Sequence, residues 1–305
     1  MSGDVRTGAL AERYVLAPVR GGEALDEAYR ALDGWFGVRG ELERRAVVED
    51  WLRTPEGREV GGVRMRYHLL VARTVEGALA AVRDCHVTVD PSTGVCVVYL
   101  AHALVLPEHR RTGLARWLRE LPVELAREDL VAWGVGASEV VLAVEQEPVA
   151  RGAEDTVIRL VAYGRSGFQV VSPEVLPYCQ PDFRDVAALG VPARPLPLLA
   201  VARRVGHEGA PTLPAALAEA FVTHLYAVFS THCREEDLRA PREHALGYLR
   251  RSGLAQVPLL PMPAAVDDVT ALGPLSEESV LPRFPTLWTA RGGLMDGAAG
   301  PGSSG

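Results

Sequence analysis

A basic turn at residues 110–115, with the sequence RRTGLA, carries the residue types best suited to chemistry in this chain. It stands directly before a helical pattern, and the first turn of a helix presents unpaired N–H groups and partial positive charge. Gly113 and Ala115 are small enough to let a bulky anion approach the backbone. Arg110 and Arg111 add charge-assisted hydrogen bonds of roughly 1.5–3 kcal/mol each. The turn therefore predicts a site for phosphate or pyrophosphate.

Two elements must position this turn. Residues 96–105 form a nearly continuous apolar run, broken only by His102, which is typical of a strand buried on both faces. Pro107 ends that strand because proline has no N–H for the sheet ladder. After the turn, apolar residues recur at spacings that mark one face of a helix: Leu114, Leu118, Leu121 and Leu125. Neither a GxxxxGK[ST] phosphate loop nor a GxGxxG fingerprint occurs here.

A second motif follows at residues 163–168, with the sequence YGRSGF. Between the two motifs, residues 140–144 form a short apolar run that predicts a strand. The R-x-x-G-x-A pattern of residues 110–115 resembles the coenzyme A loop of the GNAT acyltransferase superfamily, Q/R-x-x-G-x-G/A. Residues 163–168 resemble the Y-x-x-x-G-F with which that family ends its fourth helix. The resemblance covers about residues 12–206.

The resemblance implies a binding site for acetyl-CoA and no metal. It places the pyrophosphate over the following residues: Arg110, Arg111, Thr112, Gly113, Leu114 and Ala115. It also implies that main-chain groups of Leu104 and Val105, where the central strand splays from its neighbour, bind the pantetheine arm. There they would polarise the thioester carbonyl, because acyl transfer needs a donor aimed at the developing oxyanion.

The family's usual acid corresponds to Tyr163. A phenol near pKa 10 can hydrogen-bond the thioester sulfur and protonate the departing thiolate. Earlier in the same helix, Thr156 and Arg159 stand where the family often has asparagine and alanine. A half-buried tyrosine that only covers the core is the structural alternative for Tyr163.

The general base is less clear from the sequence. Tyr99 occupies the position on the central strand where many relatives carry a glutamate or histidine. His102 is the nearest titratable group, but strict alternation places it on the other face from Tyr99, unless a bulge reverses the parity. His102 is therefore either a base or a hydrogen-bonded core histidine. His86, Glu145 and Glu147 are lesser candidates, and a water chain without a dedicated base is a further alternative.

Composition excludes several classes of protein. The net charge of −7 and pI near 5.7 do not favour nucleic-acid binding. Lysine is absent, so lysine Schiff-base chemistry is excluded. The lack of lysine and asparagine indicates a GC-rich bacterial genome. The four cysteines show no zinc spacing. Without a leader or an apolar stretch of about 18 residues, the sequence predicts a cytoplasmic protein with no membrane contact.

The remaining pattern predicts secondary structure around these motifs. Helices are expected over residues 23–32, 41–52 and 155–163, and the helix after the basic turn should kink or break at Pro122. Residues 173–197 form a long Pro-rich loop, which would overhang the acceptor site. The predicted strands are 14–19, 69–75, 78–89, 96–105, 140–144, 168–171 and 198–205. The expected fold is α/β (α+β), a mixed, mostly antiparallel sheet flanked by helices on both faces.

The chain after Gly206 has no resemblance that could be named. Residues 214–230 and 235–251 predict two helices, and residues 257–263 predict an extended apolar segment packed on the body. We therefore divide the chain into a catalytic domain (1–206), a helical extension (207–295) and a disordered tail (296–305). The histidines of the two helices match no standard metal site.

The sequence thus predicts an N-acyltransferase, with an acetyl group passing directly from acyl-CoA to a small-molecule or protein amine in a ternary complex. A homodimer is a further expectation. The alternative is a GNAT-like module that binds acyl-CoA without turnover and acts as a sensor, which the tyrosine at position 99 favours. A nucleotide-phosphate binder unrelated to coenzyme A is a third alternative.

Overall fold

A single mixed sheet of eleven strands organises the protein, whose computed structural model describes residues 10–37, 41–184 and 190–285. The strands of this part are β1 (Tyr14–Pro18), β2 (Arg58–Val60), β3 (Val63–Thr74), β4 (Leu79–Asp90), β5 (Val95–Tyr99), β6 (Ala103–Val105), β7 (Glu139–Gln146), β8 (Gln169–Val171), β9 (Cys179–Gln180), β10 (Leu196–Pro197), β11 (Leu199–Arg204), β12 (Thr212–Pro214) and β13 (Gln256–Pro261). β9 and β10 form a separate two-stranded sheet.

Helices alternate with these strands along the chain. In the described ranges they are α1 (Gly22–Asp33), α2 (Arg45–Leu52), α3 (Leu114–Trp133), α4 (Glu154–Gly164), α5 (Ala215–Phe229), α6 (Glu235–Ser252), α7 (Val269–Leu272) and α8 (Glu277–Val280), with short 3₁₀ turns at Pro107–His109, Gly273–Leu275 and Leu281–Arg283. None of these helices combines the length and the apolar character needed to cross a membrane.

The strand order is β1-β3-β4-β5-β7-β11-β8-β13-β12, with β2 on β3 and β6 on β4. β5 and β7 are parallel, whereas the other described neighbours are antiparallel. Parallel neighbours need a crossover connection, and α3 provides it here. This mixed, mostly antiparallel sheet confirms the predicted fold class.

The two faces of the sheet bury different helices. Alternate strand residues point to opposite faces, so Val97 and Tyr99 pack with α1, α2 and α5. Val98 and Leu100 pack on the other face with α3 and α4. Helices therefore cover both faces, as predicted, and we call these the α5 face and the α3 face.

Helix α2 begins later than predicted, at Arg45 rather than residue 41. Tertiary hydrogen bonds hold the preceding residues out of the helix. The Tyr29 hydroxyl donates to the Glu43 carbonyl at 3.0 Å, and Nε2 of His102 lies 3.0 Å from the Glu41 carbonyl. These contacts between distant residues are not visible in a local helical pattern.

The predicted break at Pro122 is wrong, because α3 runs without interruption through it. Proline removes the hydrogen bond to the carbonyl four residues earlier. Pro122 is buried, as are Leu118 and Leu130 on the same helix. Burial of this stripe against the sheet offsets the lost hydrogen bond.

The segment after Gly206 packs on the sheet. Phe221 and Leu225 of α5 are fully buried. β13 pairs antiparallel with β8, so the extended segment predicted at residues 257–263 adds a strand to the sheet. The division proposed at residue 206 thus separates two sequence segments that share one sheet. The tail predicted at 296–305 lies outside the described residues.

We expect that a fragment of residues 1–206 will not fold stably. Removing α5 exposes the face that it covers, and each fully buried large apolar side chain contributes about 1.5–3 kcal/mol. Losing the burial of a few such side chains would therefore cancel the whole free energy of unfolding of a typical domain, which is about 5–15 kcal/mol. Limited proteolysis at the exposed turn around Gly206, followed by thermal unfolding of the product, checks this. A fragment that unfolds cooperatively by itself would contradict the expectation.

Candidate active site

The apolar run at residues 96–105 forms two strands instead of the single predicted one. β5 ends at Tyr99 and β6 begins at Ala103. His86 of β4 lies opposite Tyr99, but Arg83 lies opposite Ala103. The central strand therefore contains one residue more than β4 over this stretch, which is a β-bulge.

The bulge places His102 on the α5 face with Tyr99, opposite to what strict alternation predicts. Its main-chain N–H donates to Oδ1 of Asp84 at 2.6 Å, and its Nδ1 lies 3.1 Å from Oδ2. Its Nε2 faces the Glu41 carbonyl at 3.0 Å. Burial alone would lower the pKa of His102, but Asp84 raises it to about 10. His102 is therefore a charged donor at neutral pH, hydrogen-bonded through both ring nitrogens.

The sheet opens just beyond the bulge. β5 and β7 pair as far as Tyr99 and Ala143, and the Leu100 N–H donates to the Ala143 carbonyl at 2.8 Å. Past this point β7 continues beside β11, while β6 follows β4. The result is a gap between β6 and β7, as the resemblance predicted for the splayed strand.

Main-chain groups line both edges of this gap. The Leu106 N–H donates to the Ala80 carbonyl at 3.0 Å, so alternation turns the Leu104 main chain toward β4 as well. Ala103 and Val105 therefore direct their main-chain groups into the gap. Of the two predicted main-chain contacts, Val105 faces the gap and Leu104 does not.

The opposite edge of the gap belongs to β7. Because the Ala143 carbonyl accepts from the β5 side, the alternate residue Glu145 also directs its N–H and carbonyl away from β11. Because β5 pairs with β7 only as far as Ala143 and the ladder to β11 uses the alternate residues, the Glu145 N–H has no ladder partner among the described strands. It is a free donor at the position where a reacting carbonyl could lie.

The basic turn at the mouth of the gap has the backbone of an anion-binding nest. Arg111 and Gly113 have positive φ angles of 62° and 96°. Within the described chain, the N–H groups of Arg111, Thr112, Gly113 and Ala115 have no hydrogen-bond acceptor. Successive free N–H groups in such a turn converge on one point, a geometry that binds anions in many proteins. A left-handed angle at an arginine is unusual and is consistent with a functional constraint.

Side chains fix this turn against the gap. Nε of Arg110 donates to the Val105 carbonyl at 3.3 Å, and its guanidinium lies 5.2 Å from the Trp35 ring centroid. The Thr112 hydroxyl donates to the His109 carbonyl at 2.7 Å. Leu114 is fully buried and anchors the start of α3. The side chain of Arg111 is exposed and free to meet a ligand.

A carboxylate stands at the gap on the α5 face. Glu145 accepts hydrogen bonds from the hydroxyls of Tyr99 and Tyr178, both at 2.6 Å, and from Nε2 of Gln180 at 3.0 Å. Burial raises the pKa of Glu145 to about 7, against the lowering effect of these donors. Tyr99, the expected site of a carboxylate, thus binds one supplied by the neighbouring strand.

Tyr163 lies on the α3 face, near the end of α4. Its half-buried ring packs edge-on against Phe168, with centroids 5.1 Å apart, and the Arg119 guanidinium lies 6.0 Å from its centroid. Its hydroxyl has no hydrogen-bond partner in the described part of the chain. The hydroxyl is therefore available to a ligand.

Comparison with known proteins finds relatives only among solved structures. No protein-family profile matches the chain, and no curated protein matches it. The GCN5-related glucosamine N-acetyltransferase region of a fungal multi-domain β-N-acetylglucosaminidase is 16% identical with a TM-score of 0.36, over 52% of this chain and 17% of that one. A putative N-acetyltransferase from Lactobacillus plantarum is 12% identical with a TM-score of 0.38, over 63% and 99%.

A GNAT family N-acetyltransferase from Escherichia coli, solved with CoA, is 16% identical with a TM-score of 0.37, over 63% of this chain and 81% of that one. The mostly antiparallel sheet with helices on both faces, the central strand that splays from its neighbour and the basic turn before α3 are the features that the sequence resemblance implies for the fold. The fold is GNAT-like.

The other candidates are less suited to a role in this GNAT-like site. Burial lowers the pKa of His86 to about 3, and its ring packs against Trp51 and Tyr67. Glu147 is paired with Arg159. No cluster of three or more potential metal ligands occurs in the described ranges.

Sequence reasoning placed Glu145 among the lesser candidates, whereas the structure places its carboxylate at the gap. Its only signal is an acidic residue at the end of the apolar run VVLAVEQE. Its partners Tyr178 and Gln180 lie in the long loop predicted to overhang the acceptor side, and the structure places both against Glu145.

Proposed function

We propose that the protein is an N-acyltransferase, which transfers an acyl group from acyl-CoA to an amine by direct attack. One juxtaposition carries this proposal. A gap with free main-chain groups lies between an anion-binding nest and a buried carboxylate whose pKa is near neutrality. Acyl transfer from a large phosphorylated thiol needs these three features in this order.

The nest would hold the pyrophosphate of the donor. Its free N–H groups and the exposed side chain of Arg111 supply the donors. The pantetheine arm would extend a strand-like ladder along Val105 and Ala103, and the Glu145 N–H would stabilise negative charge on the thioester oxygen. Acetyl is the acyl group that the sequence predicts.

Glu145 is better placed than His102 to act as the base. A charged His102 whose ring nitrogens both donate cannot accept a proton, because its pKa of about 10 keeps it charged at neutral pH. A carboxylate with a pKa of about 7 is partly ionised at neutral pH and can accept one. We assign His102 the role of fixing the bulge through Asp84.

The proposed reaction balances as follows. The acceptor ammonium loses a proton to Glu145, and the neutral nitrogen forms a bond to the thioester carbon. The carbon–sulfur bond then breaks with its electron pair on sulfur. Tyr163 or water protonates that thiolate, and solvent returns the proton to Tyr163. The nitrogen, which became cationic on bonding to carbon, loses its second proton to solvent, and Glu145 also releases its proton to solvent.

The α5 face, on which Glu145 lies, also has a cleft through which an amine could approach. This cleft is lined by Glu43, Asp182 and Phe183. Within the described ranges, Oε2 of Glu43 is buried without a hydrogen-bond partner, and burial raises the pKa of Glu43 to about 7. A cationic amine would stabilise the ionised form of this carboxylate, so amine acceptors suit the cleft.

Replacing Tyr163 with phenylalanine should separate chemistry from binding. The ring and its packing on Phe168 remain, so affinity for acetyl-CoA should stay within about twofold, whereas kcat should fall by about 10²-fold, the low end for a general acid. Calorimetry and steady-state kinetics measure the two effects. An unchanged kcat would leave solvent as the proton donor, and a joint loss of affinity and stability would indicate a structural hydroxyl.

Release of free CoA thiol with a panel of amines, together with calorimetry of CoA and ATP, tests the proposal. We expect CoA to bind more tightly than ATP and turnover to require an amine. Binding without turnover would support the sensor alternative. Equal binding of ATP would support a general nucleotide-phosphate site.

A further inference from the structure

Arg83 is a fully buried arginine that makes no ion pair among the described residues, although the charge of the neighbouring Asp84 interacts with it. Its relative exposure is 0%, and its one hydrogen bond runs from Nη1 to the His102 carbonyl at 3.3 Å. Its Nε and Nη2 are buried and unpaired, and it forms no ion pair with any described carboxylate. An unpaired charge in the protein interior has a large desolvation cost. An anion bound at this position would compensate that charge.

Arg83 lies on β4, beside the gap between β6 and β7. Arg83 lies opposite Ala103, whose main chain faces the gap, and alternation along β4 with Cys85 and Val87 turns its side chain to the α3 face. Tyr163, the proposed acid for the thiolate, lies on the same face.

A second arginine strengthens the local positive charge. Arg119 of α3 donates through Nε to the Ser166 hydroxyl at 3.0 Å and lies over the Tyr163 ring. Burial lowers the pKa of Arg119, and the nearby Arg83 lowers it further. Arg119 also forms no ion pair with a described carboxylate. Arg83 and Arg119 interact electrostatically, and neither forms an ion pair with a described carboxylate, so the pair would suit an anion beside the proposed thioester position.

We propose that the acyl group carried by the donor ends in a carboxylate, which binds Arg83 and Arg119. The donor class is then the CoA monothioester of a dicarboxylic acid. This inference rests on the proposed function. A neutral acetyl group would leave both guanidinium groups unpaired, and the thiolate charge appears only as the thioester breaks. A carboxylate is present throughout binding and matches the planar guanidinium in a bidentate pair.

Paired donors test this inference: succinyl-CoA and butyryl-CoA, which differ by a carboxylate in place of a methyl group. The wild-type protein should prefer succinyl-CoA by about 10- to 100-fold in kcat/KM, the range of one to two charge-assisted bonds. Arg83→Met should abolish that preference while raising Tm, because it replaces an unpaired buried charge with an apolar side chain. Arg127→Met, an exposed position on α3, is the matched control and should change neither quantity.

Two results would overturn the inference. One is a wild-type protein that uses butyryl- or acetyl-CoA as well as succinyl-CoA. The other is an Arg83→Met variant whose affinities for free CoA and for succinyl-CoA fall equally. Arg83 would then bind the CoA part of the donor rather than its acyl group. If turnover is absent, the affinities of the same two donors decide the question. If no CoA compound binds at all, the proposed function fails too, so the two failures are distinguishable.

Discussion

Replacing Glu145 with glutamine should lower kcat by about 10²–10⁴-fold, the usual contribution of a general base. Glutamine keeps the size of the side chain and can still accept from Tyr99 or Tyr178, but it cannot take a proton. Binding of acyl-CoA should change little, because Glu145 would meet the donor through its main chain. Steady-state kinetics and calorimetry separate these effects.

The pH profile gives a second readout of the same variant. Below a pKa of about 7 Glu145 is protonated and cannot act as a base. The rate at saturating donor should therefore rise with pH through about 7 and level off above it. In Glu145→Gln this rising limb should disappear from the residual activity.

Glu147→Gln is the matched control, two residues further along the same chain segment. Glu147 pairs with Arg159 on the neighbouring helix and does not contact the tyrosines. It should retain the wild-type rate and pH profile. If both glutamine variants keep full activity, Glu145 is not the base, and a water chain must carry the proton.

Local pattern predicted much of this fold. The basic turn, the helix after it and the buried strand before it follow from spacing and residue type, and the structure has all three. The helices after Gly206 follow in the same way, because α5 and α6 each bury apolar residues at helical spacing. These features depend on neighbours within a few residues of one another.

The remaining features depend on contacts between distant residues. The bulge forms because the His102 N–H finds the carboxylate of Asp84, 18 positions earlier. Glu145 becomes a buried acid because Tyr178 reaches it from a loop more than 30 positions away. In the sequence Arg83 looks like an ordinary charged strand residue, whereas in the structure it is fully buried. Periodicity contains no information about such pairings, so the buried acid Glu145 and the buried Arg83 can be recognised only from the three-dimensional structure.

Replacing Gly113 with glutamate should weaken CoA binding by 100-fold or more, roughly the value of two lost charge-assisted contacts. Among the described residues, a Cβ atom added at Gly113 would have only Leu10 within 4 Å, at 3.7 Å, so a longer side chain can start toward the place where the phosphates would lie. There it would repel them and compete for the free N–H groups of Arg111 and Thr112. Calorimetry with CoA measures the change in affinity.

Backbone strain must be separated from charge repulsion, because Gly113 has a φ of 96°. Gly134 ends the same helix in a left-handed conformation, with a φ of 65° and open space around it. Gly134→Glu therefore adds comparable strain and charge away from the nest. Both variants should lose about 1 kcal/mol of stability, but only Gly113→Glu should lose CoA. If CoA affinity stays at the wild-type value in a folded Gly113→Glu protein, the pyrophosphate does not bind at residues 110–115.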